Sequence, residues 1–194
     1  MLLFAHVGIT AGTARLTDIA FPPDVLQNNG SGFRYRIASV LNNLRDTSGN
    51  LDYRMIVIGS MLPDIIDKPL LLLFSESGLF TGRSHAHTLL FAVLLLSGGI
   101  LSRKSWILTL ALANVTHLVL DSLWDSPKTL LWPFLGRFEP YEAEGWFSDI
   151  WYNLTHSPEI YVPEIIGLVV TGFLVYKIVK TRGVSRFIRQ GVIA

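Results

Sequence analysis

The hydrophobic residues of this chain gather in long apolar runs, and short polar segments separate the runs. The most uniform run, residues 161–179, carries no charge except Glu164 near its beginning and Lys177 near its end. Two further runs, 88–101 and 106–123, flank a short polar segment and predict a helical hairpin. An apolar run of about 20 residues is long enough to cross a bilayer as a helix. The pattern therefore predicts an all-α integral membrane protein.

Two less regular segments add to this picture. Residues 55–74 form a fourth candidate span, but Pro63, Pro69 and the charged residues between them interrupt it, so we expect a broken helix. Residues 1–16 predict a fifth, short helix and leave open whether it crosses the whole bilayer. We therefore expect a polytopic protein of about four to five transmembrane helices, one of them broken.

The polar stretch 22–54 is rich in Asn, Gly and Arg. It predicts a loop with one short amphipathic helix around residues 34–44.

The basic residues are unevenly distributed. Most of the 16 Lys and Arg residues fall on one side of the membrane when the chain is threaded through five crossings. By the positive-inside rule this side is cytoplasmic, which places the C-terminus in the cytoplasm and the acidic segment 137–160 outside.

Composition supports a membrane protein and excludes some kinds of site. Hydrophobic residues make up 50% of the chain, charged residues only 16%, and the mean hydropathy is +0.42. These values are too apolar for an ordinary soluble domain. The absence of cysteine excludes disulfides and thiolate metal sites, and a net charge of +1 does not suggest nucleic acid as a partner. The first residues lack a basic segment, so we interpret them as mature protein rather than a signal peptide.

Residues of metal-binding type interrupt the apolar runs. His117 and Asp121 are four residues apart, a spacing that places both side chains on one face of a helix. Ionisable groups at membrane depth are costly and commonly mark a functional site. The same threading brings six such residues to one depth near the outer side, namely His6, Asp64, Asp67, His87, His117 and Asp121.

Three imidazoles and three carboxylates suit zinc, manganese or iron better than calcium or magnesium. They are sufficient for one ion with supporting groups or for two ions. Single residues also have ordinary structural interpretations. His6 can bond to a neighbouring backbone, Asp64 can cap a helical turn, and Asp67 can pair with Lys68 at the membrane surface.

Two other histidines are weaker candidates. Of the neighbours His85 and His87 we favour His87 as the ligand, because it leads directly into an apolar run, and we expect His85 to support it. His156 lies in a polar segment and is interpreted as an ordinary surface residue.

The order of these motifs resembles a known family. After His6 come Leu62-Pro63-Asp64, His87-Thr88, His117-x-x-x-Asp121 and Trp132-Pro133-Phe134. In this order the chain resembles the prokaryotic membrane-bound metal-dependent hydrolases, which include the LexA-regulated inner-membrane protein of enterobacteria and archaeal members. That family is distantly similar to zinc-dependent phospholipases C, all-helical enzymes whose His and Asp ligands hold a zinc cluster. The resemblance covers roughly residues 1–136.

The resemblance implies a ligand set and a hydrolytic activity. His6, Asp64, His87, His117 and Asp121 would be metal ligands, with Asp67 as a sixth. His85 stands where the family has an apolar residue, which implies an additional catalytic or supporting group. The C-terminal third of the chain carries no matching motif.

The site suggests a mechanism in which a metal-activated water attacks the substrate. Asp67 or His85 would act as general base or hold the water, and Asp125, one turn beyond Asp121, would support the ligands. Arg83 would pair with a phosphate oxygen, although it can equally be an interfacial cation whose stem lies in lipid. Because the site would open towards the outer leaflet, we expect a membrane lipid or lipid-linked phosphoester as substrate. An amide or ester in a lipid remains an alternative.

The expected protein is one transmembrane domain, residues 1–194. It consists of a metal-site core (1–136), an acidic outer loop (137–160), a C-terminal helix (161–179) and a basic tail (180–194). We expect it in the inner or plasma membrane, and the sequence leaves open whether it forms a homo-oligomer.

Two functions other than hydrolysis stay open. Transport of a metal ion or proton is less favoured, because the candidate ligands cluster towards one side and we expect no polar residues to continue to the cytoplasmic ends of the same helices. The other open function is structural, with a metal that joins short helices.

Overall fold

A computed structural model describes residues 2–22, 32–45, 50–74, 82–138 and 146–193 of the chain. Over these ranges the protein is helical and contains no β-strand. A π-helical turn, Ala5–Ile9, precedes the first α-helix, and two 3-10 turns, His85–His87 and Leu123–Asp125, connect later ones. The α-helices are α1 (Thr10–Ala20), α2 (Phe33–Asn42), α3 (Tyr53–Phe74), α4 (Leu89–Ser102), α5 (Ser105–Leu120), α6 (Pro127–Leu130), α7 (Trp146–His156), α8 (Pro158–Lys180) and α9 (Val184–Gln190).

Most of the predicted helices are present. The hairpin is formed by α4 and α5, which pack against each other. The short amphipathic helix is α2, and the C-terminal span is α8, which begins a few residues earlier than its apolar run. The segment predicted as an acidic loop contains α7 and the first turn of α8, and its residues 139–145 lie outside the described residues.

The first helix is longer than predicted. It does not end near residue 15 but continues to Ala20. Its charges are compensated inside the fold, because Asp18 lies 3.7 Å from Arg15 and 2.9 Å from the buried guanidinium of Arg45. The ion pairs of Asp18 with Arg15 and Arg45 thus allow the helix to continue past its apolar part.

The prediction of a broken helix was wrong for residues 55–74. α3 continues through both Pro63 and Pro69. A proline removes one backbone donor and costs helix stability, but neighbouring helices can compensate for this in a membrane protein. α3 lies along α5 so closely that a Cβ on Gly59 would overlap the backbone carbonyl of Leu110. This packing holds the proline-containing helix together.

Only α8 among the described helices is long and apolar enough to cross a membrane by itself, with a mean hydropathy of 1.8. Much of its surface is unburied, including Ile165, Val169 and Phe173, each at least half exposed. α4 and α5 are apolar but shorter. An exposed apolar helix surface of this kind is typical of contact with lipid. Four to five crossings therefore remain a prediction.

α8 also supports the N-terminal turn. A Cβ on Gly8 or on Gly167 would overlap the backbone of the opposite segment. The N-terminal turn and α8 therefore touch backbone to backbone. Beside this contact, the buried carboxylate of Glu164 accepts hydrogen bonds from the backbone N–H groups of Leu2, Phe4 and Ala5, at 2.7, 3.0 and 3.2 Å. These N–H groups have no partner within the helix itself, and Glu164 satisfies them.

The opposite end of the bundle carries Arg15, Arg45 and Arg54, and we call it the basic end. The chain segment after α9 returns to it. The N–H of Tyr53 donates to Gly191 O at 2.8 Å, and Ile193 is buried against α1 and α3. Arg54 Nη1 donates to Ile188 O at 2.7 Å. The C-terminal segment therefore fastens the beginning of α3.

We predict that Gly167→Ala destabilises the protein, because the added methyl has no space against the N-terminal turn. Overpacking of this kind costs about 1–3 kcal/mol. The thermal unfolding temperature of the purified protein should fall. Gly172→Ala is the matched control on the same helix, since a Cβ there meets nothing within 4 Å. Equal unfolding temperatures for the two variants would contradict the close approach of α8 and the N-terminal turn.

Candidate metal centre

The centre is built where regular helix geometry ends. His6 lies in the π-helical turn, and His87 lies in the 3-10 turn before α4. His117 is in the last turn of α5, and Asp121 follows that helix directly. Asp64 projects from the middle of α3. Irregular turns are common at functional sites, because they aim side chains in directions that a regular helix does not offer.

The structure brings five predicted ligands together in the interior. His6, His87 and His117 have no solvent exposure, and Asp64 and Asp121 are at least 92% buried. Ligand atoms of two groups, His6–Asp64–His117 and His87–His117–Asp121, lie within 4.8 Å of one another. Because His117 belongs to both groups, the five side chains form one centre.

The Nδ1 atoms of His117 and His87 each face a hydrogen-bond acceptor. Nδ1 of His117 lies 2.6 Å from the backbone carbonyl of Ser60, and Nδ1 of His87 lies 2.7 Å from Asp67 Oδ2. A carbonyl and a carboxylate only accept, so both Nδ1 atoms carry the proton in neutral rings. The two Nε2 atoms, 3.2 Å apart, then face each other with lone pairs. Two lone pairs at that distance repel unless a cation or proton lies between them.

The spacing fits a small divalent metal. Ligand atoms about 2.0–2.2 Å from a tetrahedral zinc lie about 3.3–3.6 Å apart. The observed separations are 3.2 Å for His87 Nε2–His117 Nε2, 3.1 Å for His6 Nε2–Asp121 Oδ1 and 3.6 Å for His87 Nε2–Asp64 Oδ1. Nδ1 of the fully buried His6 ring has no hydrogen-bond partner among the described residues, and Nε2 lies beside the Asp121 carboxylate. A nitrogen in this situation is available for coordination.

His6 is held by stacking rather than by hydrogen bonds. Its ring lies on the ring of His117 with centroids 4.0 Å apart and an angle of 19° between the planes. The ring of His87 meets His117 edge-on at 5.1 Å. His117 is therefore the central ring of the three.

Asp67 occupies a different place from the one predicted. Its carboxylate accepts from Ser84 N at 2.7 Å, from Ala86 N at 3.1 Å, and from His87 Nδ1. It lies behind His87 and belongs to neither group of converging ligand atoms. These contacts favour Asp67 as a positioning residue for His87, and its roles as a sixth ligand or general base stay predictions.

Two cations accompany the carboxylates of the centre. Lys68 Nζ lies 2.8 Å from Asp64 Oδ2, and Arg83 Nη2 lies 3.0 Å from Asp121 Oδ2. With neutral imidazoles, Asp64, Asp67 and Asp121 exceed these two cations by one negative charge. Arg83 is 46% exposed and marks the mouth of the centre. The excess negative charge in a buried site favours a bound cation.

The other predicted site residues lie outside the ligand groups. His85 is half-buried, and its ring meets the rings of Trp132 and Phe138 edge-on, both at 5.0 Å. Asp125 is exposed in its 3-10 turn. His156 is exposed and stacks on Tyr152 at 4.5 Å, which confirms its interpretation as a surface residue.

Sequence reasoning missed several supporting groups. The Ser60 carbonyl is invisible to any side-chain pattern. Glu164 was noted only as an interruption of an apolar run, although a lone acid in such a run is itself a signal for a buried partner. The threonines on α1 and α5 were also overlooked. Thr13, Thr17 and Thr109 continue polar groups towards the basic end, which removes the argument that no polar residues lie there.

Comparison with known proteins bears on this arrangement. A family model described as YdjM inner membrane protein matches residues 1–186. The chain belongs to this family. No curated protein and no solved structure matches the chain. The family is consistent with the expected resemblance to a LexA-regulated inner-membrane protein, and it places the protein in the inner membrane. Its match extends through α8, well beyond the residues 1–136 that carry the motifs.

We predict that Asp67→Asn weakens metal binding by about 10–100-fold, the range typical for lost supporting groups. An amide that turns its NH₂ towards His87 Nδ1 moves the ring proton to Nε2, where it blocks coordination. The measurement is the metal dissociation constant from competition with a chelator. Asp125→Asn, with the same charge change at an exposed position, should bind as wild type. Equal affinities for both variants would refute the role of Asp67.

Proposed function

We propose that this protein is a membrane-embedded metal-dependent hydrolase that cleaves a lipid or lipid-linked phosphoester. The observation that carries the proposal is the pair of imidazole Nε2 atoms 3.2 Å apart, each with its rear nitrogen fixed by an acceptor. Such preorganised nitrogens are typical of metal sites. The resemblance to the membrane-bound metal-dependent hydrolases and, more distantly, to zinc-dependent phospholipases C supports the choice of reaction.

The proposed metal ligands are His6, Asp64, His87, His117 and Asp121. Zinc is the first candidate, with manganese or iron as alternatives, and the donor set is sufficient for one ion or two. When bound, such a metal supplies a hydroxide at neutral pH and polarises a phosphoryl oxygen.

The protein's own residues would orient the substrate. Arg83, half exposed beside Asp121, is placed to pair with a phosphate oxygen at the mouth. Asp67 keeps His87 in the tautomer that leaves its Nε2 lone pair towards the centre. Lys68 holds one oxygen of Asp64 and leaves the other directed to His87 Nε2. His85, beside the rings of Trp132 and Phe138, remains a proposed base or proton donor.

An apolar pocket supports a lipid as substrate. It has a volume of about 500 Å³ and lies between the N-terminal residues Leu2–Phe4, α7 and α8. Its wall includes Glu164, whose carboxylate accepts hydrogen bonds from the backbone of the segment that leads to His6. A volume in the range of about 300–1,000 Å³ is typical of ligand sites and suits a section of acyl chain. The proposed topology has several crossings, the centre towards the outer leaflet and the C-terminus in the cytoplasm.

Transport of a metal ion or proton is the second candidate. The observation in its favour is the cavity of about 150 Å³ that threonines of α1 and α5 line below the centre. Transport predicts ion flux in liposomes that His117→Ala abolishes, without any hydrolysis product. A structural metal would instead have all of its coordination positions filled by protein ligands.

The decisive experiment combines metal analysis with a lipid screen. Wild type, His87→Ala, His117→Ala and the surface control His156→Ala are purified, their metal content is measured, and each is incubated with phospholipids labelled in the headgroup. We expect wild type and His156→Ala to bind metal and release the phosphorylated headgroup, and the other two to lose both properties. Chelation of wild type should stop turnover, and zinc should restore it. Stoichiometric metal in both alanine variants of the centre would overturn the metal site, and bound metal without turnover of any lipid would overturn the hydrolase.

A further inference from the structure

One turn below the centre, two buried polar side chains lack partners. Asn114 has no solvent exposure, and neither atom of its amide has a hydrogen-bond partner among the described residues. The same holds for the hydroxyl of Thr10, which is 5% exposed. Buried polar groups of this kind are rare, because each costs about 1–3 kcal/mol when unsatisfied. Something that forms hydrogen bonds therefore has to occupy this place.

The two residues are joined to the centre by helix geometry. Thr10 follows His6 by four residues and Asn114 precedes His117 by three, spacings that keep each pair on one helix face. The rings of His6 and His117 are stacked at 4.0 Å. Thr10 and Asn114 thus lie below a pair of touching rings, on the side of the basic end.

A cavity begins at the same place. It has a volume of about 150 Å³ and lies between α1, α2, α3 and α5. Thr10 is part of its wall, together with Thr13, Thr17, Thr109 and Thr116. Ala113, the neighbour of Asn114, also lines it. The hydroxyls of Thr17, Thr109 and Thr116 donate to backbone carbonyls, which leaves their oxygens able to accept.

The chemistry of these groups selects the ligand. Thr10 and Asn114 together offer donors and acceptors and carry no charge. A bare cation would leave the amide NH₂ unmatched, and an anion would leave the amide oxygen unmatched. Water matches both kinds of group, and the cavity exceeds by several times the roughly 10–15 Å³ that one water requires.

We propose that Thr10 and Asn114 bind water directly below the metal centre and that this water continues into the threonine-lined cavity. The centre is then hydrated from the basic end, along a path that does not pass the mouth marked by Arg83. A lipid at the mouth and water from below reach the centre from different directions. This inference does not depend on the reaction proposed above.

The absence of cysteine from the sequence makes a direct test available. Thr109→Cys and Thr10→Cys place single thiols of nearly threonine size in the wall. Each is treated with a small charged methanethiosulfonate reagent in vesicles, from either side. Only an ionised thiol reacts, so a thiol in contact with water should be labelled at least about tenfold faster than one in hydrocarbon. The control is Val169→Cys on α8, which is 65% exposed on the apolar surface.

We expect both wall cysteines to be labelled rapidly from the side that exposes the C-terminal tail. Asn114→Leu in the Thr10→Cys background should slow labelling of residue 10, because the amide that binds the water is removed. The same Asn114→Leu change in the Thr109→Cys background should leave labelling of residue 109 unchanged. Labelling of Thr109→Cys no faster than Val169→Cys would overturn the proposal, as would labelling only from the Arg83 side. Thr109→Cys decides the question even if Thr10→Cys does not fold. The assay measures no turnover, so its outcome is separate from that of the lipid screen.

Discussion

The central constraint on the bundle is a pair of buried imidazole nitrogens, His87 Nε2 and His117 Nε2, that face each other at 3.2 Å and need a proton or a cation between them. Their orientation is not free, because the Ser60 carbonyl and the Asp67 carboxylate hold the opposite ring nitrogens. Such an arrangement is unfavourable in an empty apolar interior and favourable around a cation. The surrounding charges also favour a bound cation, since Asp64, Asp67 and Asp121 are accompanied by only two cationic side chains, Lys68 and Arg83. A cation held between these side chains would therefore stabilise the fold itself.

Several helical segments end or change their helical type at the centre. α5 ends at Leu120, and Ser122, with φ of 51°, turns the chain immediately after Asp121. A non-glycine residue in the left-handed region is uncommon and is retained where the surrounding structure requires it. The π-helical turn and the 3-10 turn bring His6 and His87 to the same point. α3 remains helical through two prolines while it packs closely along α5, and it supplies Asp64 and Asp67.

The sequence was sufficient for the helical class, the α4–α5 hairpin, α2, α8 and the gathering of five buried His and Asp side chains. These follow from periodicity and from the cost of placing His or Asp in apolar runs, both of which are local properties. The continuity of α3 could not be predicted, because it depends on its packing against α5. The place of Asp67 could not be predicted either, since a ligand and a residue that holds a ligand have the same chemistry and the same spacing. Backbone acceptors such as the Ser60 carbonyl leave no trace in the sequence.

The C-terminal third carries no motif, yet the family match continues to residue 186. The structure gives a physical reason. α8 contributes no ligand, but Glu164 satisfies three backbone N–H groups of the segment that leads to His6, and Gly167 allows that segment to approach. The ring of His6 is held by its stacking on His117 and by the Asp121 carboxylate 3.1 Å from its Nε2, and both contacts require its backbone to lie where α8 places it. A helix that orients the backbone of His6 is therefore as much a part of the centre as the helices that supply its other side chains.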